Sequence, residues 1–360
     1  MEDKRLPQAR KGRGAESNPS PRFSTERRVL LDTGWPDDDD LPPLKTTVSI
    51  DRTRSIITRN DSPDVPFEQS INAFRGCEHG CVYCFARPTH AYLGLSPGLE
   101  FETNLWAKPD AAKRLEQELR HVNYRCRVIA LGTNTDPYQP IERRYRITRE
   151  ILEVMADYNH PVSIVTKSAL VLRDIDILAP MAARRLAKVA LSITTLDRDL
   201  ARNMEPRAAS PARRLETIRE LADAGIPVAV MAAPMIPALN DSELEAILEA
   251  ARDRGASAAA YTLVRLPHEV KDLFDEWLAT HYPNRAKHVL SLIRQARGGR
   301  LNDPNFGSRF VGSGPYATLL DQRFTLAVKR LGLNLRQTLT GLDTSQFARP
   351  ARPGDQLALF

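Results

Sequence analysis

The chain has 360 residues, of which 42% are hydrophobic and 27% are charged, so it can bury one barrel-sized core or two smaller ones. It contains no apolar run of about 18 residues, and its charged N-terminus is not followed by an apolar stretch, which excludes a membrane span or secretory signal and favours the cytoplasm. The net charge of +6 is too small to identify a nucleic-acid partner.

The N-terminal region has the composition of a disordered tail. Residues 1 to about 28 are rich in Arg, Lys, Pro, Ser and Gly and nearly lack apolar side chains, which predicts disorder. The acidic tract that follows, Asp37–Asp40, predicts a linker because adjacent carboxylates repel one another. We therefore expect a disordered or extended segment over 1–60, a core domain over 61–266, a helical C-terminal extension over 267–335 and a loose tail over 336–360.

From Phe67 onwards, short apolar runs alternate with longer segments of helical period. The predicted strands are 67–74, 127–131, 162–166, 188–194, 227–233 and 258–263, and the predicted helices after them are 110–121, 146–158, 173–185, 213–224, 241–252 and 268–280. Further helices are predicted over 284–296 and 315–331. This order predicts an α/β fold with a parallel sheet and helices outside it. Periodicity alone leaves open whether the sheet forms a partial barrel, but in either case ligands are expected at the carboxyl ends of the strands.

Three of the four cysteines lie within eight residues, directly after the first predicted strand. Cys77, Cys81 and Cys84 follow a CxxxCxxC spacing, and three thiolates on one loop can bind a soft metal centre. Gly76 and Gly80 would allow the sharp turns that direct the sulfurs inward. The loop therefore predicts a metal centre at the functional edge of the sheet.

Three interpretations of this loop stay open at the level of spacing. A structural zinc site would need a fourth ligand, for which His79 and His90 are candidates. A disulfide with one free thiol is disfavoured in a reducing compartment. A four-iron cluster held by three thiolates would leave one iron open for a substrate or cofactor, and the position of the loop favours this interpretation.

Five segments carry a resemblance to a known family. Cys77–Arg87, Thr133–Glu142, Thr166–Ser168, Leu191–Ile193 and Ala233–Asp241 resemble, in content and order, radical S-adenosylmethionine (SAM) enzymes, in particular the bacterial branch related to spore photoproduct lyase. The likeness extends from about Phe67 to Leu266. It implies a partial (β/α)6 TIM-like barrel with parallel strands, which makes 61–266 a radical SAM core domain.

The resemblance also implies cofactors and partners. Cys77, Cys81 and Cys84 would bind a [4Fe-4S] cluster whose open iron takes SAM. Reductive cleavage of SAM would give a 5'-deoxyadenosyl radical that abstracts hydrogen from a substrate that neither fold nor cluster identifies. An electron donor such as flavodoxin or ferredoxin would reduce the cluster.

Further residues are assigned to SAM only by this resemblance. Tyr83 would lie against the adenine, Lys167 would pair with the SAM carboxylate, Ser192 would contact SAM, and Asn134, Thr135 and Asp136 would bind its amino group and ribose. An Asx turn before Pro137 explains Asn134 and Asp136 without a ligand. Tyr138 and Glu142 are candidates for groups that face the substrate.

One departure from the family pattern limits the choice of reaction. Spore photoproduct lyase uses a cysteine near the end of its second strand as hydrogen donor, whereas Ala130–Asn134 contains none here. Cys126 enters the same predicted strand at its other end, roughly 20 Å away. Repair of the thymine lesion is therefore disfavoured. A nucleic-acid lyase or modification enzyme stays as one alternative, and a zinc-stabilised nucleic-acid-binding protein without catalysis stays as another.

Overall fold

A computed structural model describes residues 12–24, 44–335 and 341–351. The strands are β1 (Thr47–Ile50), β2 (Thr58–Arg59), β3 (Gln69–Ile71), β4 (Phe74–Arg75), β5 (Asn104–Ala107), β6 (Ile129–Leu131), β7 (Val162–Thr166), β8 (Ala187–Ser192), β9 (Val228–Met235) and β10 (Ala258–Leu263). The α-helices are α1 (Glu100–Thr103), α2 (Ala111–Arg120), α3 (Glu142–Tyr145), α4 (Ile147–Asp157), α5 (Ile175–Ala183), α6 (Arg198–Met204), α7 (Pro211–Asp223), α8 (Leu244–Arg252), α9 (Val270–His281), α10 (Pro283–Gln295) and α11 (Gly314–Leu331). Short 3₁₀ helices cover Arg87–Leu93, Ala169–Asp174 and Asp241–Glu243.

The main sheet has the strand order β10-β9-β8-β7-β6-β3-β2. All neighbours from β10 to β3 are parallel, and only β2 runs antiparallel to its neighbour. The six parallel strands alternate with helices along the chain, as the sequence predicts. Within the described ranges β10 and β2 do not pair, so the sheet is open on that side. The predicted α/β fold with parallel strands is confirmed, in the form of an unclosed sheet.

The sequence misses a second, smaller sheet. Strands β1, β5 and β4 form it in the order β1-β5-β4. These strands contain two to four residues each, too few for hydrophobic periodicity to identify them. This sheet matters because β4 ends immediately before the cysteine loop and β5 lies beside it.

The core continues from the sheet into the C-terminal helices. One buried cluster joins Val82 and Tyr83 of the cysteine loop to Phe274 and Trp277 of α9. Burial of each such large apolar side chain contributes roughly 1.5–3 kcal/mol, so α9 is held firmly against the loop. Among the described helices, none is both long and apolar enough to cross a lipid bilayer.

Residues 12–24 pack against the core, contrary to the disorder predicted from composition. Gly14, Ala15 and Glu16 are buried, and the backbone amides of Gly14 and Ala15 donate to the carboxylate of Glu102 at 3.1 and 2.8 Å. The composition of a segment does not indicate contacts with residues far away in the sequence, and Glu102 lies almost 90 positions from Gly14. The rest of the predicted N-terminal tail, residues 1–11 and 25–28, lies outside the described residues.

Residues 341–351 also pack against the body of the protein, where the sequence predicts a loose tail. The ring of Phe347 contacts Tyr124, Tyr158 and His160. Arg349 donates to the carbonyl of Leu119 at 3.0 Å. A single aromatic anchor in a polar segment gives no periodic signal, which is why the sequence does not reveal it. Residues 336–340 and 352–360 of this predicted tail lie outside the described residues.

Candidate functional site

The cysteine loop turns at its two glycines, as predicted. Gly76 and Gly80 have φ angles of 75° and 69°, the left-handed region that glycine adopts without a steric cost. Within the loop, the Cys84 amide donates to the Cys81 carbonyl at 3.2 Å. These turns bring three thiols to the inner side of one short segment, with Cys77 buried and the other two half-buried.

The three thiols lie close enough to influence one another electrostatically. Burial, then the charges of Asp136, Cys81 and Cys84, raise the pKa of Cys77 well above its usual value. Burial and the nearby Glu205 raise the pKa of Cys81 to about 12. Three thiolates in this environment require a cationic centre. In the described part of the chain, no three His, Cys, Asp or Glu side chains converge on a single ion position. A cubane cluster binds its cysteines through separate irons, so this donor set fits an iron–sulfur cluster without such convergence.

Gln139 holds the loop on both sides of Cys77. Its amide nitrogen donates to the carbonyl of Gly76 at 3.1 Å, and its amide oxygen accepts from the backbone of Glu78 at 2.9 Å. The side chain is fully buried. The segment after β6 therefore positions the first cysteine, a role that the sequence analysis did not assign to Gln139. The sequence feature that could have identified Gln139 is its position in a family-like segment that follows a strand.

Arg87 supports the second cysteine from the opposite side. Its guanidinium donates to the carbonyls of Cys81 at 2.9 Å and Gly80 at 3.2 Å, and to the carboxylate of Glu102 at 2.6 Å. Both charged side chains are fully buried. The sequence does not predict this pair because its two partners lie in different elements.

A second buried carboxylate, Glu205, organises the space beside Tyr83 and Lys167. It accepts a hydrogen bond from the Tyr83 hydroxyl and forms an ion pair with Arg214. The Lys167 ammonium lies 4.0 Å away. Burial opposes ionisation of Glu205, but the positive charges of Arg214 and Lys167 lower its pKa to about 2. The Lys167 nitrogen also lies 5.9 Å from the centre of the Tyr83 ring. Tyr83 and Lys167, both predicted site residues, are therefore neighbours.

Ser192 lies at the same level of the sheet as Lys167. Thr166 of β7 pairs with Leu191 of β8, so the residues that follow each are adjacent at the carboxyl edge. Ser192 is buried, and its carbonyl accepts a hydrogen bond from Arg214 at 2.9 Å. Ser192 therefore lies at the edge of the sheet where the sequence predicts the ligand site.

The loop after β6 uses most of its polar groups internally. The backbone amides of Asn134 and Thr135 donate to Asn72 at 3.0 and 3.2 Å, and the Thr135 hydroxyl donates to the Phe74 carbonyl at 3.1 Å. In the described residues the Asn134 side chain makes no hydrogen bond. Asn134 is thus the one of these candidates with a free polar side chain.

Asp136 is engaged by neighbouring groups. Its carboxylate accepts from the Thr166 hydroxyl at 2.7 Å and the Lys167 amide at 2.8 Å, and it lies 3.3 Å from the His79 imidazole. Burial would raise its pKa, but His79 and these hydrogen bonds lower it to about 2. The carboxylate also accepts a hydrogen bond from the Tyr138 backbone amide at 2.9 Å, which is the Asx turn expected around Pro137. Asp136 thus joins β7 to the cysteine loop.

Tyr138 and Glu142, the candidates for substrate-facing groups, make their contacts elsewhere. Glu142 accepts from the Thr148 amide at 3.1 Å and from the Arg173 guanidinium at 2.8 Å, at the start of α4. Tyr138 is buried in the main core, with Arg173 over its ring at 6.0 Å. None of these contacts reaches the cysteine loop, so the structure places both beside α4.

The two histidines considered as zinc ligands also have other partners. His79 faces Asp136, and His90 Nε2 lies 2.9 Å from the carbonyl of Asn104. The ring of His90 packs edge-on against Phe101 and Trp106. Both imidazoles are therefore held in contacts outside the group of three thiols.

The family follows from comparison with known sequences. The profile of the radical SAM superfamily matches residues 71–251, half of the chain, and this range includes the cysteine loop and the ends of β6, β7 and β8. The chain belongs to the radical SAM superfamily. It is therefore a radical SAM enzyme whose substrate the comparisons do not name.

Its relatives by sequence are uncharacterised proteins. One from Mycobacterium tuberculosis is 37% identical over 64% of this chain and 68% of the relative. Another, from Methanocaldococcus jannaschii, is 31% identical over 48% of this chain and 62% of the relative. Sequence similarity to this chain thus extends to both bacterial and archaeal proteins.

Its relatives by structure include spore photoproduct lyase. The structure of that enzyme complexed with dinucleoside spore photoproduct superposes over 79% of this chain and 80% of the enzyme's chain, with a TM-score of 0.54 and 17% sequence identity. A variant with bound AdoMet and the same dinucleoside has a TM-score of 0.55 at 17% identity. At this identity the likeness shows a shared radical SAM fold.

Proposed function

We propose that Cys77, Cys81 and Cys84 bind a [4Fe-4S] cluster and that SAM occupies the remaining iron. When bound, this cluster supplies the electron that cleaves SAM to methionine and a 5'-deoxyadenosyl radical, which abstracts hydrogen from substrate. The observation that carries the proposal is the gathering of three thiols on one loop beside Lys167 and Ser192, at the carboxyl edge of a parallel sheet.

Lys167 is the residue best suited to bind the SAM carboxylate. Its side chain is 16% exposed and its ammonium lies 4.0 Å from Glu205, but Glu205 is already paired with Arg214. Two cations therefore share one carboxylate, which leaves positive charge at the site for an incoming anion. Ser192 and the side chain of Asn134 supply neutral hydrogen-bonding groups for SAM, and Tyr83 supplies an aromatic surface next to Lys167.

The surrounding residues have a supporting role in this proposal. Gln139 and Arg87 hold the cysteine loop through hydrogen bonds, and Asp136 holds it through His79. These contacts keep the thiols in place and water away from a reactive radical. We propose that 61–266 forms the unit that carries this chemistry and that 267–335 supports it. A small acidic redox protein such as flavodoxin or ferredoxin would deliver the electron.

Metal content and SAM cleavage test the proposal together. Protein purified without oxygen should contain about four iron and four sulfide per chain and should form 5'-deoxyadenosine from SAM after reduction. Replacing any one of Cys77, Cys81 and Cys84 with Ala should abolish both properties. Cys126→Ala is the matched control and should retain both. Colourless wild-type protein with one zinc per chain would contradict the proposal and favour the zinc alternative.

We infer that the net reaction differs from repair of a thymine lesion. The residues that follow β6 contain no cysteine, and a Cβ at Gly132 would lie 2.0 Å from the carbonyl oxygen of Val165. A cysteine hydrogen donor is therefore not available at that position. Candidate substrates, nucleic acids included, are best compared by following deuterium from labelled substrate into 5'-deoxyadenosine. Transfer from a thymine dinucleoside lesion with return of hydrogen would contradict this inference.

A further inference from the structure

Five side chains alternate between aromatic rings and guanidinium groups beside the third cysteine. Arg265 lies 4.6 Å from the centre of the Phe85 ring and 5.1 Å from that of Phe310. Arg309 lies 4.8 Å from the centres of the Phe310 and Phe306 rings. We call this the Phe–Arg row. It begins at the residue after Cys84 and ends at Phe306, and both terminal rings are exposed.

The row is built on a loop across the open side of the sheet. The Leu263 amide at the end of β10 donates to the Phe310 carbonyl at 2.7 Å. On the other side, Asp64 accepts from the Gly307 amide at 2.8 Å and pairs with Arg309 at 2.7 Å. Asp64 precedes β3, so the loop joins the last parallel strand to the region of the first one. These anchors fix the row in position.

The two arginines of the row differ in their partners. Arg309 is paired with Asp64, whereas Arg265 makes no hydrogen bond or ion pair with any residue in the described ranges. Arg265 is half-buried between two rings, and burial and the charge of Arg309 lower its pKa. Cys84 and Asp64 are close enough to interact with it electrostatically, but neither forms an ion pair or hydrogen bond with it. A partly desolvated guanidinium without a hydrogen-bonded anion is costly unless a ligand supplies one.

We propose that Arg265 binds an anionic group of the substrate, a phosphate or a carboxylate, while the exposed ring of Phe85, 4.6 Å from Arg265, contacts a flat ring that carries it. The guanidinium matches both anions because two of its N–H groups can bind two oxygens at once. The rings favour offset or edge contacts with a planar group. This assignment rests on the proposed function only in identifying the ligand as the substrate, since the site adjoins Cys84.

Small fluorinated probes test the assignment without knowledge of the true substrate. 4-Fluorophenyl phosphate, 4-fluorobenzoate and 4-fluorophenol share a ring and differ in the attached group. Fluorine NMR titrations of the iron-loaded protein should show binding of at least one of the two anions and at least about tenfold weaker binding of the phenol. The tighter of the two anions identifies the group as phosphate or carboxylate. Equal binding of the phenol would overturn the proposal.

Variants then assign the binding to Arg265. Arg265→Gln should weaken binding of the anion about tenfold, and Arg265→Lys should restore part of it. Phe85→Leu, at the exposed end of the row that contacts Arg265, should weaken the ring contribution. Arg252→Gln removes an equal charge from an exposed residue of α8 and should bind as the wild type does. Iron content, measured for each variant, reports whether the cysteine loop is intact.

A SAM titration separates the remaining possibilities. If Arg265→Gln weakens SAM binding by the same factor and SAM displaces the fluorinated anion, Arg265 serves SAM and the proposal is wrong. Unchanged anion binding in Arg265→Gln also overturns it. Neither result depends on SAM cleavage, so the assignment of Arg265 and the proposed function can fail separately.

Discussion

Glu102 and Arg87 form an ion pair of 2.6 Å in which both side chains are completely buried. Each partner has a second task. Glu102 accepts hydrogen bonds from the backbone amides of Gly14 and Ala15. Arg87 donates hydrogen bonds to the carbonyls of Gly80 and of Cys81, the second cysteine. The pair therefore couples the N-terminal segment 12–24 to the cysteine loop.

Glu102→Ala should destabilise the protein and loosen the cysteine loop. It leaves the Arg87 guanidinium buried without a counter-charge, which costs roughly 3–5 kcal/mol, and it also removes the acceptor of two backbone amides. We expect a lower urea midpoint, faster proteolysis within residues 12–24 and reduced iron incorporation. Glu68→Ala removes an exposed carboxylate paired with Arg127 and should leave the midpoint unchanged. Equal effects of the two variants would contradict the coupling.

Gln139→Leu should lower iron incorporation, and it should reduce the free energy of unfolding less than Glu102→Ala does. The variant keeps the approximate size of the side chain but removes hydrogen bonds to both neighbours of Cys77. Each lost bond costs about 1 kcal/mol, and the buried backbone groups are left unpaired. Iron and sulfide per chain, measured after anaerobic reconstitution, should fall below the wild-type value. Gln117→Leu, on the exposed side of α2, is the control. Wild-type iron content in Gln139→Leu would show that the loop does not need this clamp.

The sequence predicts the main sheet well because each strand-and-helix unit carries its own local hydrophobic pattern, and the same pattern repeats along the chain. β7 and β10 begin and end at the predicted residues, and the turns at Gly76 and Gly80 are confirmed. The cysteine spacing locates the centre of the site for the same reason: the information is local. Residue type and spacing suffice there.

The rest of the site depends on contacts that local pattern does not contain. Gln139 lies more than 60 positions from the backbone groups that it binds, and Arg265 meets Phe85 only through the fold. For Tyr138 and Glu142, the position in a family-like loop suggests the substrate, and the contacts that the structure adds are those of Glu142 with Thr148 and Arg173 and of the Tyr138 ring with Arg173. A role of either residue toward the substrate stays a prediction. A loop position indicates an edge of the sheet but not the direction of a side chain.

Arg297→Ala should release the loop that crosses the open side of the sheet. The buried Arg297 guanidinium donates to the carbonyls of Leu263, Val264 and Arg309 at 2.8, 2.9 and 3.0 Å. Its loss leaves three carbonyls without these donors, at about 1 kcal/mol each. Limited proteolysis should show faster cleavage within residues 302–312. Arg300→Ala removes an exposed arginine of the same segment and serves as the control. Identical cleavage patterns for the two variants would contradict this role of Arg297.

His160 lies at the opposite edge of the sheet, beneath the C-terminal segment. Nδ1 lies 3.1 Å from the Pro161 carbonyl and donates to it, and Nε2 lies 2.7 Å from the Tyr124 hydroxyl. The ring of Phe347 packs edge-on against it. Burial lowers the pKa of His160 to about 4 despite the hydrogen bond to Pro161. The imidazole is therefore neutral in the folded protein at neutral pH.

Stability should fall between about pH 6.5 and pH 4 because of His160. In the unfolded chain a histidine binds a proton below about 6.5, whereas the folded protein resists it until a pKa of about 4. The contribution is complete above the unfolded pKa and is lost as pH falls, by up to about 3 kcal/mol. Urea midpoints at pH 7 and pH 5 should differ less in His160→Gln than in the wild type. His288→Gln, an exposed residue of α10, should keep the wild-type difference. An unchanged difference in His160→Gln would assign the acid sensitivity to other groups.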